Sequence, residues 1–230
     1  MLGMCAPGDD VLITSPRFTS YDTAVRLCGG NPIPVPTFEH DDFALDVEEI
    51  EKRITPRTRM FVLVSPNNPT GAVTPPDKIR AIAQMAIRHD LIIVADEIYG
   101  RMIYEPNEHL SIATLPGMRD RTIVVSSMGK TYSCTGWKVG WASASPMLTA
   151  GIRAAHQFLV FSIPGPLQKA TARALLDHAE SLMQGLGRLH GGYWASPRFE
   201  DDLDWVEPTM RNEWGEILIQ AGLEQFGNEM

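Results

Sequence analysis

The 230-residue chain has few cysteines and no long hydrophobic run, and each shortage excludes a class of protein. Its three cysteines, Cys5, Cys28 and Cys134, do not have the spacing of metal ligands, and so sparse and odd a number does not build a disulfide framework. No apolar run reaches membrane-spanning length, and the N-terminus lacks the basic and apolar segments of a signal peptide. We therefore expect no metal site, no membrane association and a reducing, cytoplasmic compartment.

Basic side chains are also in short supply. The chain has 20 lysines and arginines and 28 aspartates and glutamates, which gives a formal net charge of −8. A surface that is acidic overall argues against nucleic acid as the main partner, although it leaves room for a local basic pocket. Hydrophobic residues make up 44% of the chain, an ordinary share for a globular protein that can bury a sizeable core.

Short apolar runs alternate with helical patterns along most of the chain. Strands are predicted at 11–15, 33–36, 59–66, 91–99, 122–127 and 139–145, and helices at 21–30, 45–54, 75–90, 147–161 and 166–182. Continuous apolar strands that alternate with helices are typical of a mostly parallel sheet covered on both faces. The sequence therefore predicts a three-layer α/β/α fold, in which the proline-rich run 33–36 suits only an edge strand.

The helix predicted at 75–90 has the clearest periodicity. Its apolar residues follow the spacing i, i+3, i+4, i+7, i+8, which predicts a face buried against the sheet. These residues are Ile79, Ile82, Ala83, Ala86 and Ile87. Beyond about residue 190 the sequence becomes aromatic and acidic, and only 213–226 has a helical pattern.

Polar clusters follow three of the predicted strands. They are "SPNNPTG" at 65–71, "DEIYG" at 96–100 and "SSMGK" at 126–130. Because the carboxyl ends of parallel strands meet at one edge of a sheet, ligands collect there. The sequence thus predicts a pocket at this edge before any family is considered.

Asp96 ends a strongly apolar strand, so its carboxylate is expected to be partly buried and to need a partner. A helix cap or a loop salt bridge would satisfy a lone aspartate. However, Tyr99 lies three residues further on, and the amides of Asn67 and Asn68 follow another strand. An acid, a phenol and an amide at one site favour a flat heterocycle with a ring nitrogen and an oxygen substituent.

Two lysines, Lys130 and Lys138, lie close together in the segment 126–141. A solvated loop lysine is the common case, but the small neighbours of Lys130 would let a ligand approach its ε-amine, and lysine forms Schiff bases with carbonyls. Lys138 stands between Trp137 and Trp141, which would cover its aliphatic stem and leave its charge needing an anion. With the Ser127 hydroxyl nearby, a phosphate is the natural candidate.

In this order and spacing, "NNPTGAV", "DEIYGRM" and "SSMGKTYSCTGWKVGW" resemble the motifs of class I/II aminotransferases, which are enzymes of fold type I that depend on pyridoxal 5'-phosphate (PLP). The stretch "GKTYSCTGWKVGW", followed by "AHQFLVFSIPGPLQ", is most similar to the kynurenine/glutamine (type K) and methionine aminotransferase branch. The resemblance implies a PLP-binding large domain over 1–185, incomplete at its N-terminal side, and a diverged or partial tail over 186–230.

The resemblance also implies catalytic roles. Lys130 would form the Schiff base with PLP and then serve as the base that moves a proton between the substrate Cα and the cofactor. Asp96 would pair with the pyridine nitrogen and keep it protonated, so that the ring acts as an electron sink. Asn68 and Tyr99 would donate hydrogen bonds to the 3′-oxygen of the ring.

The remaining cofactor contacts implied by the resemblance involve the phosphate and the ring face. Ser127 and Lys138 would bind the phosphate, and Phe18 would stack on the ring. Family members often have arginine at the position of Lys138, so the charge is kept here and the bidentate geometry is not. In the family, residues near Phe161 and Ser162 reach the neighbouring subunit, which implies a homodimer.

The implied reaction is transfer of an amino group between an L-amino acid, aromatic or glutamine- or methionine-like, and a 2-oxo acid. A cysteine-S-conjugate β-lyase remains an alternative, because it would use the same Lys130, Asp96 and Tyr99. The second alternative is a truncated, non-catalytic remnant of an aminotransferase. It is suggested by parts of the family pattern that have no match in this sequence.

Two such parts are missing. Upstream, family members carry a glycine-containing turn and a helix start that bind the phosphate through backbone N–H groups. Downstream, they have a small domain whose arginine binds the substrate carboxylate. Arg198 and Arg211 lack the sequence context of that arginine, so we expect weak amino-acid binding by this chain.

Overall fold

The computed structural model describes residues 1–177, with side chains described as far as residue 175. The described residues divide into two compact units, of which the first combines Met1–Ser126 with Ala144–Phe161, and the second combines Ser127–Ser143 with the described residues from Ser162 onward. Across residues 1–177, no helix has both the length and the hydropathy needed to span a membrane.

The first unit is a parallel β-sheet with helices. Its strands are β1 (Asp10–Ser15), β2 (Asn31–Pro36), β3 (Thr58–Val64), β4 (Ile92–Asp96) and β5 (Thr122–Ser127, whose last residue opens the second unit). Its α-helices are α1 (Thr19–Leu27), α2 (Val47–Glu51), α3 (Pro76–Arg88) and α4 (Pro146–Leu159). The strands lie in the order β2-β1-β3-β4-β5, and each neighbouring pair is parallel. The predicted parallel sheet is confirmed.

Strand β2 lies at the edge of this sheet, as its prolines require. Pro32, Pro34 and Pro36 have no backbone N–H to donate, so the strand can pair on one side only. Strand β3 lies in the interior of the sheet, and from Met60 to Val64 every residue is buried. A continuous apolar run is needed where both faces of a strand are covered.

Two separate apolar clusters show that helices cover both faces of the sheet. Successive residues of a strand point to opposite faces, so Leu12 of β1 belongs to the first cluster and Ile13 to the second. The first cluster contains residues from α2 and α3, including Ile50 and Ile82. The second contains residues from α1 and α4, including Val25 and Leu148. The predicted three-layer α/β/α architecture is therefore confirmed.

Helix α3 buries most of its predicted face. Ile79, Ile82, Ala83 and Ala86 are buried, but the prediction for Ile87 is wrong, since its side chain is 44% exposed. Met85 is fully buried instead. Ile87 lies at the border of the apolar stripe, one residue before the helix ends, and its Cδ1 would be 3.1 Å from a Cβ added at Gly117.

Two other predicted elements are shorter in the structure than in the sequence pattern. Helix α2 covers only Val47–Glu51, where Asp46 caps its start by accepting a hydrogen bond from the Glu48 N–H at 2.9 Å. Strand β4 ends at Asp96, and the residues after it form turns. The loss of strand pairing after Asp96 leaves the following polar residues in a loop.

The second unit contains β6 (Gly140–Ser143) and α5 (Gly165–Asp177). Met128, Tyr132 and Val139 form a small buried cluster, which includes partly buried residues of α5. The end of the helix predicted at 166–182, the helix predicted at 213–226, and Arg198 and Arg211 lie outside the described residues.

Asp10, at the start of β1, is a buried carboxylate with a structural role. Thr55 Oγ1 donates to its Oδ2 at 2.7 Å, Asn31 Nδ2 donates to its Oδ1 at 3.0 Å, and an Arg57 nitrogen lies 3.4 Å from Oδ2. Burial of the carboxyl tends to raise the pKa of Asp10, but these donors outweigh burial and hold that pKa below its ordinary value. The ionised form is therefore favoured in the folded chain.

Replacing this carboxylate by an amide, in Asp10→Asn, should lower the free energy of unfolding by about 1–3 kcal/mol at pH 7, because an NH₂ group then faces hydrogen-bond donors. Since the folded pKa lies below the unfolded one, the stabilisation is present above the unfolded pKa and is lost as pH falls through the folded pKa. Urea unfolding of both proteins at neutral and acid pH measures the difference.

Asp90→Asn is the matched control for Asp10→Asn. Asp90 pairs with Arg121 at 3.0 Å, its side chain is 89% exposed, and its backbone has a φ of 51°, which asparagine tolerates. We expect a change within about 0.5 kcal/mol there. Equal losses at the two positions would contradict the role given to the buried network.

Candidate active site

Asp96 is buried at the carboxyl end of β4, with 9% of its surface exposed. Its Oδ2 accepts a hydrogen bond from the Tyr21 hydroxyl at 2.5 Å, and its Oδ1 accepts one from the Ile98 N–H at 3.2 Å. Burial raises the pKa of Asp96, while the two hydrogen bonds oppose the rise. No cation among the described residues pairs with Asp96, so a cationic ligand would offset the cost of burying its charge.

Tyr21 is a site residue that the sequence reasoning missed. It lies near the start of α1, and its ring meets that of Phe18 edge to face, with centroids 6.3 Å apart and an interplanar angle of 76°. Burial and the Asp96 carboxylate both raise the pKa of Tyr21, so the phenol keeps its proton and donates a hydrogen bond to Asp96. The available signal was two aromatic residues spaced three apart directly after a strand, which places them on one side of a helix.

The two asparagines after β3 have different surroundings. Asn67 shapes its own loop, because its Nδ2 donates to Thr14 Oγ1 at 3.3 Å and its Oδ1 accepts from Thr70 Oγ1 at 3.2 Å. Asn68 is half-buried, and within the described part of the chain its amide has no hydrogen-bond partner. The amide of Asn68 can therefore bind a ligand without disrupting the loop.

Tyr99 is half-buried in the turn that follows β4. Beside it, the Glu97 carboxylate accepts a hydrogen bond from Ser111 Oγ at 2.7 Å, and its other oxygen lies 3.2 Å from His109 Nε2. These contacts tie the segment after β4 to a later part of the loop. The sequence reasoning did not single out Glu97, His109 or Ser111, which no short motif connects.

Ser127, Lys130 and Lys138 belong to the second unit. The Ser127 Oγ accepts a hydrogen bond from the Gly129 N–H at 3.0 Å. Lys130 lies exposed in the turn after β5. Lys138 is also exposed, as is Trp137, so the tryptophan cover expected for the Lys138 stem is not present. Lys138 follows directly after a short 3-10 helix, Thr135–Trp137, and its backbone is left-handed with a φ of 56°.

The seven residues predicted from sequence thus fall into two groups. Those in the first unit lie at or just beyond the carboxyl ends of β1, β3 and β4 and are Phe18, Asn68, Asp96 and Tyr99. Those in the second unit lie within one short segment and are Ser127, Lys130 and Lys138. The first group offers an acid, a phenol, an amide and an aromatic ring, and the second offers two amines and a hydroxyl.

A separate hollow of about 430 Å³ lies at the opposite edge of the sheet, by the amino ends of β3 and β4. Its lining includes Thr58 at the start of β3 and the Glu51 carboxylate. Glu51 already accepts a hydrogen bond from Arg88 at 2.8 Å, and its carboxylate lies 2.7 Å from His89 Nε2. We assign this hollow no part in the chemistry, because its Glu51 carboxylate is already paired with Arg88 and His89.

Known proteins are similar to this chain in sequence and in fold. A family model described as aminotransferase class I and II matches residues 1–189. The chain is 40% identical over 176 residues to the probable N-succinyldiaminopimelate aminotransferase DapC of Mycobacterium tuberculosis, covering 76% of this chain and 44% of that protein. It is 37% identical over 176 residues to kynurenine–oxoglutarate transaminase 1 of Rattus norvegicus, covering 72% and 42%.

Solved structures of aminotransferases are also similar to this chain. The N-succinyldiaminopimelate aminotransferase of Mycobacterium tuberculosis superposes with a TM-score of 0.75 at 39% identity, covering 79% of this chain and 47% of that one. YbdL of Escherichia coli, for which a methionine aminotransferase function is described, gives a TM-score of 0.75 at 33% identity, covering 80% and 48%.

The chain spans less than half the length of each of these relatives. Their names agree on amino transfer and differ in substrate, and none is named as a lyase. The match to the family model covers four-fifths of the sequence, from residue 1 to residue 189, and includes all three polar motifs. The chain therefore belongs to the class I and II aminotransferases.

Proposed function

We propose that this chain forms the PLP-binding large domain, over residues 1–185, of an enzyme that moves an amino group between an L-amino acid and a 2-oxo acid. The observation that carries the proposal is the Asp96 carboxylate, buried at the end of β4 and without a cationic partner among the described residues. A protonated pyridine nitrogen is the cation that suits such a site, because it is flat and donates one hydrogen bond.

The groups of the first unit fit a pyridine ring. Each Asp96 oxygen accepts one hydrogen bond from the protein and keeps a second lone pair for a ligand N–H. The Asn68 amide and the Tyr99 hydroxyl offer hydrogen-bond donors for a ring oxygen. The ring of Phe18, 44% exposed, offers a face for stacking.

The groups of the second unit fit a phosphate. The Ser127 hydroxyl can donate to a phosphate oxygen while its Oγ accepts from Gly129, and Lys138 adds a positive charge. A Cβ at position 129 would come within 3.1 Å of Ser127 Oγ, so glycine keeps the hydroxyl accessible. Lys138 supplies a point charge rather than the two parallel hydrogen bonds of an arginine.

The proposed mechanism assigns each step to a side chain of this chain. PLP supplies, when bound, a reactive carbonyl and an electron sink. Lys130 Nζ would hold the cofactor covalently and, once released, would carry the proton from the substrate Cα to the cofactor. The Asp96 carboxylate would hold the proton on the ring nitrogen. Tyr99 and Asn68 would orient the ring by hydrogen bonds to its oxygen.

The proposed substrates are aromatic, glutamine-like or methionine-like amino acids. This proposal is supported by the names of two similar proteins, a kynurenine–oxoglutarate transaminase and a methionine aminotransferase. A third similar protein is named for N-succinyldiaminopimelate, so the panel of donors to be tested has to include acidic amino acids.

Absorption spectroscopy tests the proposed function. The purified chain is mixed with PLP and then with single amino acids, and the spectrum of the bound cofactor and the 2-oxo acid product are followed. Amino transfer predicts a change that depends on the amino acid and reverses when a 2-oxo acid is added. A chain that binds PLP and shows no such change would overturn the proposal, and release of pyruvate and ammonia would indicate a lyase instead.

We also propose that the chain forms a homodimer through the end of α4. Phe158 is 85% exposed, Leu159 65%, Val160 54% and Phe161 79%, and four consecutive exposed apolar side chains of this kind mark an interaction surface. Phe161 also has a φ of 65°, an unusual backbone conformation for a bulky residue that needs support from its surroundings. A second copy of the chain is the proposed partner, in line with the dimer implied by the sequence motifs.

Phe158→Ser should weaken self-association at least tenfold, because a buried aromatic anchor typically contributes about 2 kcal/mol or more to an interface. Sedimentation equilibrium over a range of concentrations measures the dimer constant. Met147→Ser is the matched control, since Met147 is 71% exposed at the other end of the same helix. Equal effects of the two substitutions, or a monomeric wild-type chain, would contradict the proposal.

A further inference from the structure

We infer that Tyr21 is a positioning residue for Asp96: its hydroxyl fixes the orientation of the carboxylate and favours the ionised form that meets the ring nitrogen of the cofactor. The part of this inference that concerns the cofactor rests on the proposed function. The part that concerns the Asp96 carboxylate does not, because both residues belong to the first unit.

The contact between the two residues is short and joins distant parts of the chain. Tyr21 Oη lies 2.5 Å from Asp96 Oδ2, and the residues are 75 positions apart in sequence. Tyr21 lies on α1 and Asp96 ends β4, so the hydrogen bond ties the start of a helix to the end of a strand in the middle of the sheet.

Helix α1 is held in place independently of this hydrogen bond. Val25 follows Tyr21 by one helical turn, is fully buried, and belongs to the same apolar cluster as Val94 of β4. The ring of Phe18 also contacts the phenol ring edge to face. The Tyr21 hydroxyl is therefore presented to Asp96 by packing and does not have to be ordered when a ligand arrives.

A hydrogen-bond donor at the position of Tyr21 matters because burial disfavours the ionised form of Asp96. A protonated Asp96 would carry an O–H where the ring nitrogen needs an acceptor, and the ring would lose its proton. Burial and the neighbouring Glu97 raise the pKa of Asp96, whereas Tyr21 and the Ile98 N–H lower it. Of these, the Tyr21 hydroxyl is the side-chain donor and the one that a substitution can remove.

Tyr21 acts through Asp96 and does not itself transfer a proton. Burial and the adjacent carboxylate raise the pKa of Tyr21 far above neutral pH, so the phenol stays protonated. Its effect should accordingly appear in the titration of Asp96 and in cofactor affinity, and these two measurements separate a positioning role from a purely structural one.

The first experiment needs no cofactor. Protein labelled with ¹³C at the aspartate carboxyl is titrated by NMR as wild type and as Tyr21→Phe, and the Asp96 signal is assigned by its absence from Asp96→Asn. Removal of the hydroxyl should raise the pKa of Asp96. Tyr104→Phe is the control, because it removes a hydroxyl from a tyrosine that is 56% exposed. An Asp96 titration that is the same in wild type and Tyr21→Phe overturns the inference.

The second experiment compares PLP with 1-deazapyridoxal phosphate, in which a C–H group replaces the ring nitrogen. Tyr21→Phe should bind PLP about tenfold more weakly than wild type, the effect of losing one hydrogen bond to a charged group. The deaza compound, which makes no ring N–H bond to Asp96, should bind both proteins equally. Equal losses with both compounds would mean that Tyr21 contributes packing alone, which overturns the inference.

The two experiments also separate this inference from the proposed function. A wild-type chain that binds neither compound overturns the proposed function and the cofactor part of the inference, and the NMR titration then decides whether Tyr21 holds the carboxylate. A chain that binds PLP, transfers amino groups and is unaffected by Tyr21→Phe keeps the function and loses the inference.

Discussion

Replacing Lys130 with alanine should abolish covalent attachment of PLP and lower the rate of amino transfer by at least about 10² to 10⁴-fold, the range that a positioned acid–base group supplies. The proposed role of Lys130 combines a nucleophilic amine with a proton carrier, and a methyl group performs neither function. The measurement is reduction with borohydride, followed by mass spectrometry for one phosphopyridoxyl group and peptide mapping of its position.

Two other lysines provide controls for Lys130→Ala. Lys52 is 63% exposed and pairs with Glu49 at the end of α2, so Lys52→Ala should leave attachment and rate unchanged. Lys138→Ala should keep the covalent link and weaken PLP binding, because it removes only the charge proposed to bind the phosphate. Attachment at wild-type yield in Lys130→Ala, or an adduct mapped to another lysine in the wild type, would show that Lys130 has been assigned wrongly.

Asp96→Asn should lower the rate of amino transfer by about 10² to 10³-fold, the typical loss when one preorganised electrostatic contact is removed from a reacting centre. The amide is nearly the same size as the carboxylate but carries no charge to hold the proton on the ring nitrogen. PLP affinity should fall in parallel, which fluorescence or absorption titration measures in the same preparation.

Without cofactor, the same substitution should have a stability effect that depends on pH. Burial raises the pKa of Asp96 in the folded chain above its unfolded value of 3.8. The folded state therefore binds more protons in this window, and the carboxyl contributes less stability as pH rises through its folded pKa. Relative to wild type, Asp96→Asn should gain stability as pH rises from 4 through that window, roughly 1.4 kcal/mol for each unit by which the two pKa values differ.

Urea unfolding at several pH values checks this prediction, and Asp41→Asn is its control. Asp41 is 64% exposed beside His40, so its replacement removes a carboxyl of the same type from a solvated position. If the free energy of unfolding changed with pH in the same way in wild type and Asp96→Asn, the account of a buried charge would be contradicted. An unchanged rate of amino transfer in Asp96→Asn would contradict the catalytic role.

Much of the fold could be predicted from the sequence because the relevant patterns are local. The apolar run of β3 and the prolines of β2 indicated a buried strand and an edge strand, and both strands lie where these residues allow. The ends of elements were harder to predict. Helical spacing continued through 45–54, yet only Val47–Glu51 is helical, since tertiary packing rather than periodicity decides where a short helix stops.

In the candidate site, too, local sequence patterns predicted some features and tertiary contacts decided others. The motifs brought attention to Asp96, Lys130 and the two asparagines, because chemically distinctive residues follow strands. They did not separate Asn67, which shapes its own loop, from Asn68, whose amide has no partner among the described residues. The resemblance to a family chose Asn68, and the hydrogen bonds of the loop supply the physical reason for the choice.

The sequence by itself determined the alternation of strands and helices, the family, and the position of each motif at the end of a strand. These features depend on residues that are neighbours along the chain. Only the tertiary structure decided that Tyr21 donates to Asp96, that Met85 rather than Ile87 is buried, and that Glu97 is tied to His109 and Ser111. Such contacts depend on the order of the strands and the packing of α1 and α3 on the sheet, which no local pattern specifies.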